Sequence, residues 1–74
     1  MKDDSVYNRI KIFRQKAGAT QEEVAMAVGV SRQTIIAIER GNYIPSVMVA
    51  MRLSAYFRAR VEELFSLSKD QYKM

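Results

Sequence analysis

Apolar residues recur along this chain at intervals of three and four, and short polar or glycine-containing segments interrupt them. This is the spacing of amphipathic helices. The first such segment runs from Ser5 to Ala17. Its apolar face carries Val6, Ile10, Phe13 and Ala17. Gly18 follows and suits the position just after a helix end. The pattern therefore predicts a first helix over residues 5–17.

A second helix is predicted over residues 21–28 by its capping signals. Thr20 and Glu23 have the spacing of a capping box, in which each side chain binds the backbone N–H of the other residue. The apolar face of this helix consists of Val24, Ala25 and Val28. Gly29 follows, and glycine readily adopts the positive φ that a sharp turn requires.

A third helix is predicted from Ser31, a second N-cap, to Arg40, with Gly41 at its close. Ile35 and Ile38 form its apolar side and should be buried. Two short amphipathic helices joined by a tight turn are the pattern of a helix-turn-helix, whose second helix enters the major groove of DNA. The sequence therefore indicates a DNA-binding protein.

The remaining segments predict two further helices. Ser46 caps a fourth helix. Its expected buried stripe is Val47, Ala50, Leu53 and Phe57, with Met51 at the margin. A short fifth helix over residues 61–65 would bury Val61, Leu64 and Phe65. The polar tail, 66–74, would be a short strand or a frayed end. The expected architecture is a single all-α domain over residues 1–74, with a five-helix core over about residues 5–65.

The third helix should expose the flank opposite its buried side. At about 100° per residue, this flank carries Arg32, Gln33, Ile36, Ala37 and Arg40. Guanidinium and amide groups pair bidentately with guanine and adenine, and apolar groups contact the thymine methyl. Ser31 and Thr34 add hydroxyls able to bind base edges. On an isolated helix, Arg32 and Gln33 would count as solvated residues and Ile36 as part of a protein interface. The helix-turn-helix context favours DNA readout.

The composition excludes several classes of function. The chain has no Cys and no His, which removes thiol nucleophiles, imidazole bases, disulfides and the usual zinc sites. Its adjacent carboxylates, Glu22-Glu23 and Glu62-Glu63, point in different directions on a helix. We therefore expect no enzyme activity, no metal and no cofactor. The net charge of +4 is compatible with a polyanionic partner.

The chain shows neither a membrane segment nor a targeting signal. Its apolar runs are shorter than a membrane span, and residues 1–4 do not resemble a signal peptide. We therefore expect a cytoplasmic protein with no membrane partner, and the absence of cysteine suits a reducing compartment.

Four blocks of the sequence resemble the Xre family of helix-turn-helix regulators, the group of phage Cro proteins and phage repressors. The blocks are Gly18–Ala25, Val28–Ile35, Ile38–Ser46 and Val61–Phe65, within a similarity over about residues 8–65. The resemblance implies a five-helix bundle of the lambda-repressor type, with the third helix as the recognition helix. It also implies a double-stranded DNA operator as partner, in a prokaryotic protein that is nucleoid-associated when bound.

The resemblance further implies roles at matching positions. Gln21 would bind a phosphate at the start of the second helix, where free N–H groups attract anions. The main base-reading positions match Arg32, Gln33 and Ala37. The loop that follows the DNA backbone matches Asn42 and Tyr43. Arg40 is added from its place on the exposed flank, as an expected phosphate contact.

Arg14 and Glu39 match a pair that forms an internal salt bridge in this family, between the first helix and the end of the third. Both are polar residues on otherwise apolar faces. If the pair is partly buried, loss of one partner leaves an unpaired charge, so Glu39→Ala should destabilise the fold more than any base-reader substitution.

The chain departs from the family pattern at two kinds of position. The junction before the fifth helix usually carries a Gly and a Ser or Thr cap, whereas here it reads Arg58-Ala59-Arg60. Because a non-glycine residue is costly in the left-handed region, this turn should differ locally. Positions that are usually polar are apolar here, namely Ile12, Met26, Met48 and Val49. Exposed apolar residues of this kind indicate a partner surface.

A module this small makes few base contacts, so we expect a homodimer that reads a palindromic operator, as a repressor. The expected dimer surface is Val61, Phe65 and Leu67, with the tail pairing as a strand. The alternative is that Phe65 and Leu67 only cap the core. An alternative function is an antitoxin-like or other protein-interaction module, with a toxin or another protein as partner of the exposed apolar face.

Overall fold

The computed structural model describes residues 5–68, so the first four residues and the predicted tail beyond Ser68 lie outside the described part. Its helices are α1 (Ile10–Lys16), α2 (Gln21–Val28), α3 (Arg32–Glu39), α4 (Val47–Phe57) and α5 (Val61–Leu64). Two short antiparallel strands, β1 (Tyr7–Asn8) and β2 (Phe65–Ser66), accompany them. The predicted five-helix bundle and the short C-terminal strand are confirmed.

Every helix contributes to one apolar core. The buried apolar residues are Ile10, Val24, Ala25, Val28, Ile35, Ile38, Val49, Leu53 and Leu64. Helices of seven or eight residues, such as α1, α2 and α3, are too short to be stable in isolation. Burial against their neighbours therefore stabilises the helices that carry the functional side chains.

The helix caps lie where the sequence placed them. Side-chain oxygens of Thr20, Ser31 and Ser46 accept hydrogen bonds from the third backbone N–H of α2, α3 and α4 respectively. Glu23 completes the capping box of α2 by binding the Thr20 N–H at 2.8 Å. Gly29 ends α2 with a φ of +78°, in the left-handed region. The helix-turn-helix is thus bounded by its own local sequence.

The predicted start of the first helix at Ser5 is wrong, because α1 begins at Ile10. Residues 7–8 instead form β1 and pair with β2. The Asn8 Oδ1 atom accepts a hydrogen bond from the Ile10 N–H at 3.1 Å, and such local side-chain bonds compete with helical backbone bonds. Val6 has helical spacing in the sequence, but it lies before the strand and outside α1.

The C-terminal strand pairs within the chain. Tyr7 lies opposite Ser66, and Asn8 lies opposite Phe65. Phe65 was predicted as the last residue of the fifth helix, but α5 ends at Leu64 and Phe65 adopts an extended backbone. The strand prediction was therefore right about its place, and its partner is β1 of the same chain.

The predicted buried stripe of the fourth helix is wrong in part. Val47 is 76% exposed, whereas Val49, which we predicted to be exposed, is 8% exposed and belongs to the core. Leu53 is fully buried as predicted. Apolar residues surround most of α4, so periodicity alone does not define its inner face. The packing of α4 against α2 selects the side of Val49 and Leu53.

The turn between α4 and α5 keeps a left-handed residue without glycine. Arg58 has a φ of +54° and is the only non-glycine residue of positive φ among residues 5–68. Its N–H binds the Ala55 carbonyl, and the Ala59 N–H binds the Ser54 carbonyl. This is the bonding pattern of a Schellman motif, in which glycine is preferred. The expectation that the turn would differ locally is therefore wrong.

We expect Arg58→Gly to stabilise the protein by about 1 kcal/mol, because glycine removes the strain of a side chain in the left-handed region. This should raise the Tm by about 4–8 °C for a domain of this size. Thermal unfolding followed by circular dichroism measures the shift. Arg58→Ala is the control, since it removes the guanidinium but keeps Cβ, and it should leave the Tm nearly unchanged. A Tm at or below wild type for the glycine variant would contradict the assigned strain.

Candidate nucleic-acid interface

The helix-turn-helix consists of α2, the turn over residues 29–31, and α3. Ile35 and Ile38 of α3 are fully buried, so the opposite flank of α3 faces outward. The Arg52 Nη1 atom donates to the Val28 carbonyl at 3.3 Å, so a cation of α4 lies against the C-terminal end of α2. These contacts fix α3 on the body of the protein and present one side of it.

Along the outward flank of α3, charged and amide groups lie at the two ends and apolar groups lie between them. Arg32, Gln33 and Arg40 are exposed. Ile36 and Ala37 are half-buried. The five residues that sequence periodicity placed on one flank therefore share the outer side of α3 in the structure. The arrangement offers hydrogen-bond donors for base edges and apolar surface for a thymine methyl.

The two hydroxyl residues at the start of α3 are engaged in its cap. Ser31 Oγ accepts from the Thr34 N–H at 3.1 Å, and the two side-chain hydroxyls lie 3.0 Å apart. Ser31 is exposed and Thr34 is half-buried. Their first contribution is therefore to fix the start of α3, on which Arg32 and Gln33 follow.

Arg14 and Glu39 form an ion pair with two-point geometry. Arg14 Nε donates to Glu39 Oε2 at 2.6 Å, and Arg14 Nη2 donates to Glu39 Oε1 at 3.2 Å. The third guanidinium nitrogen, Nη1, donates to the Ala19 carbonyl at 3.1 Å. The side chains of Arg14 and Glu39 are 14% and 5% exposed. The pair therefore joins α1 to the C-terminal end of α3 in a largely desolvated position.

The burial and hydrogen bonding of this pair change the pKa of Arg14. Hydrogen bonding to Glu39 raises the pKa of the Arg14 guanidinium above its ordinary value, against the opposing effect of desolvation. Because the folded-state pKa is the higher one, the resulting stabilisation is fully present below the unfolded-state pKa. It is lost only as the pH rises through the folded-state pKa. The contribution of Arg14 to the free energy of unfolding therefore does not change with pH around neutrality.

Gln21 joins the same cluster. Its Nε2 atom donates to Glu39 Oε1 at 3.1 Å, and the side chain is half-buried. The amide nitrogen of Gln21 is thus bound inside the protein, while the N–H groups of the first turn of α2 lie beside it. No local sequence signal indicates this contact, because it depends on how α2 and α3 cross.

The loop after α3 begins with a regular helix termination. Gly41 has a φ of +79°, its N–H binds the Ile38 carbonyl at 2.9 Å, and the Asn42 N–H binds the Ala37 carbonyl at 2.9 Å. These are the two bonds of a Schellman motif. The side chains of Asn42 and Tyr43 are exposed beyond it, with Tyr43 49% exposed. Both lie in the loop next to the outward flank of α3.

A concave groove lies between α1, the start of α2 and α3. Its walls include Lys11 and Arg14 from α1, Gln21 from α2, and Arg32, Ile36 and Arg40 from α3. Glu39 lies in the same groove, where it binds Arg14. The groove is open to solvent and continuous with the outward flank of α3, because Arg32, Ile36 and Arg40 belong to both.

Sequence reasoning missed two residues near this surface. Asn8 Nδ2 donates to the Ile38 carbonyl at 2.8 Å, which ties the segment before α1 to the end of α3. The only signal for it was an amide two residues before the first buried isoleucine. Lys11 lies off the apolar stripe of the first helix in the sequence, and its place in the groove depends on the packing of α1 beside α3.

The expected dimer residues lie in α5, in β2 and just after β2. Val61 and Phe65 are half-buried, and Phe65 packs against the core. Leu67 is 59% exposed and therefore does not cap the core.

Within residues 5–68, no group of His, Cys, Asp or Glu has a metal-binding arrangement. Over the same residues, no helix has the length and apolar character needed to cross a membrane.

A family model for helix-turn-helix proteins matches residues 10–64, which is most of the chain. The chain belongs to the Xre-like helix-turn-helix family. An uncharacterised HTH-type transcriptional regulator of Methanothermobacter thermautotrophicus is 48% identical to this Xre-like protein over 65 residues, covering 86% of this chain and 94% of that protein. Another, from Archaeoglobus fulgidus, is 46% identical over 63 residues, covering 85% and 90%.

The solved structures agree with this assignment. The N-terminal DNA binding domain of SinR from Bacillus subtilis has a TM-score of 0.67 and 31% identity to the Xre-like protein, covering 73% of this chain and 80% of that one. The fold of the Xre-like protein is therefore that of a Cro- and repressor-like helix-turn-helix protein. The second helix of its helix-turn-helix is α3.

Proposed function

We propose that this protein binds a palindromic DNA operator in sequence-specific fashion and represses transcription by occupying that site. The observation that carries the proposal is the outward flank of α3, with Arg32 and Gln33 at the N-terminal end of a helix anchored by Ile35 and Ile38. In a helix-turn-helix, the N-terminal residues of the recognition helix contact the base edges. In this proposal the protein acts by occupancy and performs no catalysis.

The contacts divide into positioning and reading. Arg32 and Gln33 read bases, with Ile36 and Ala37 against thymine methyl groups. Phosphates would meet Arg40, the loop residues Asn42 and Tyr43, and the first turn of α2 at Gln21. Because the Gln21 amide is bound to Glu39, the free backbone N–H groups of α2 are the better candidates for the phosphate contact there.

Selection of bound duplexes from a random oligonucleotide pool tests the proposal. The expected result is an enriched motif with two inverted half-sites whose centres lie about 34–36 Å apart, one helical turn. Binding should also weaken steeply as salt rises, because phosphate contacts release counterions. A pool that enriches no motif would contradict sequence-specific binding.

The inverted half-sites require two copies of the chain. We propose a homodimer whose surface includes Leu67, with the half-buried Val61 and Phe65 beside it. Leu67, directly after β2, is 59% exposed, and such a contact would bury its apolar side chain. A single module of this size binds DNA weakly, and a two-fold pair adds the contacts of a second half-site.

We expect Leu67→Glu to shift the protein from dimer to monomer, because it places a charge in an apolar contact. Met51→Glu is the matched control: Met51 is 61% exposed, nearly the same as Leu67, but lies on the outer face of α4. It should leave the dimer intact. Sedimentation equilibrium at tens of micromolar protein, roughly the range of weak interfaces, measures both. A wild-type monomer at these concentrations would contradict the proposed dimer.

A second candidate function, a protein-interaction module of the antitoxin kind, is favoured by one observation. The outer side of α4 and the loop before it expose Ile44, Val47, Met48 and Met51. Methionine-rich apolar surfaces suit protein partners because the side chain is flexible and polarisable. In this role, a stoichiometric protein partner should co-purify with wild type and be absent with Met51→Glu. DNA binding does not depend on it.

A further inference from the structure

Three cations around the groove between α1 and α3 have no carboxylate partner within residues 5–68. Lys11, Arg32 and Arg40 make no ion pair with any group in residues 5–68. The charge of Glu39 is matched by Arg14 at 2.6 Å and further satisfied by the Gln21 amide. Glu22 is the remaining carboxylate of the groove. Within residues 5–68, the groove therefore has more cationic side chains than carboxylates, and the excess positive charge is not neutralised by ion pairs.

Lys11 enters this groove from α1, which is outside the helix-turn-helix. It lies three residues before Arg14, so the two side chains share one face of α1. Arg14 points from that face to Glu39 at the end of α3. The same face thus directs Lys11 toward the groove, which Arg40 also lines just after the end of α3.

We propose that Lys11 is a phosphate-binding residue, and that the groove between α1 and α3 receives a strand of the DNA backbone. The inference rests on the proposed DNA binding by α3. Arg32, Ile36 and Arg40 belong both to the groove and to the outward flank of α3. If the outward flank of α3 enters the major groove of a duplex, the backbone phosphates at the edge of that major groove come next to the protein groove between α1 and α3. Lys11 and Arg40 then attract these phosphates electrostatically.

This role makes α1 a part of the binding surface. A lysine is a point charge without the planar fork of arginine, so it suits a phosphate better than a specific base edge. Contacts to phosphate position the protein but carry no sequence information directly. Lys11 should therefore contribute equally to binding of the operator and of unrelated duplexes, in contrast to Arg32.

The test compares Lys11→Gln with Lys16→Gln. Both residues are exposed lysines of α1 that lose one charge, so the net charge of the two variants is the same. Lys16 lies five residues further along, about 140° around the helix, and is not part of the groove. The affinities for a random-sequence duplex and for the operator duplex enriched by selection are measured over a range of salt concentrations for both variants and for wild type.

For Lys11→Gln we expect the slope of log affinity against log salt to fall in magnitude by about 0.9, the value for one phosphate contact. At about 0.1 M salt this corresponds to a loss of roughly 8-fold, equal on random and operator duplexes. Lys16→Gln should keep the wild-type slope. The melting temperatures of both variants should match wild type, because neither side chain makes an ion pair within residues 5–68.

Two results would overturn the inference without touching the proposed function. One is wild-type binding with an unchanged slope for Lys11→Gln. The other is an equal fall in slope for both variants, which would show that only net charge matters. A wild-type protein that binds no duplex in a salt-dependent manner would overturn both the proposed function and the role of Lys11.

Discussion

Glu39→Ala is expected to destabilise the fold by about 3–5 kcal/mol, the cost of leaving a buried partner charge unpaired. The Glu39 side chain is 5% exposed and accepts two hydrogen bonds from Arg14 and one from Gln21. Its removal strands the Arg14 guanidinium and breaks the link between α1 and the end of α3. Since small domains are stable by about 5–15 kcal/mol in total, this loss is a large fraction of the free energy of unfolding.

Chemical denaturation with urea measures this loss against a matched control. Glu22→Ala removes the same type of side chain from an exposed site on α2 and should cost at most about 1 kcal/mol, from the helix dipole. A double-mutant cycle with Arg14→Ala isolates the coupling between the two charges. A midpoint for Glu39→Ala equal to that of wild type would show that the ion pair contributes nothing to stability.

The second large effect is on recognition. Arg32→Ala should lower the ratio of operator to random-duplex affinity by about 5- to 150-fold, which corresponds to roughly 1–3 kcal/mol for one bidentate base contact. Arg32 is exposed at the start of α3 and makes no ion pair within the described residues 5–68, so its removal should not disturb the fold. Selection of bound oligonucleotides should then show relaxed preference at one position of each half-site.

The ratio, rather than the affinity for the operator alone, separates base reading from charge. Arg32→Lys keeps the positive charge but loses the planar fork, so it should keep most of the affinity for random duplexes and lose part of the discrimination. An equal loss on operator and random duplexes for Arg32→Ala would assign Arg32 to the DNA backbone instead of a base. Thermal unfolding of both variants checks that neither changes stability.

Local sequence signals determine much of the fold. The capping box of Thr20 and Glu23, the N-cap of Ser31 and the left-handed Gly29 bound the helix-turn-helix in the structure as they did in the sequence. These features are correct because each depends on hydrogen bonds between residues three or four apart. Ile35 and Ile38 then settled which flank of α3 faces outward.

Errors arose where a segment had two acceptable local structures. Val6 continued the apolar spacing of α1, yet the chain before Ile10 pairs with β2, and the paired residues Tyr7 and Ser66 are 59 positions apart in sequence. The apolar surface of α4 allowed either Val47 or Val49 to be the buried one. Neither choice is encoded within a window of a few residues, because both depend on the face that a distant element covers.

The sequence by itself determined the helix-turn-helix, its family and the residues on the outer flank of α3, since helical periodicity and capping are local properties. The tertiary structure alone decided that Gln21 donates to Glu39, that Asn8 binds the Ile38 carbonyl, and that Lys11 and Arg40 line the same groove. These contacts join residues 18 to 30 positions apart, and they exist only once the hydrophobic core has set how α1, α2 and α3 cross.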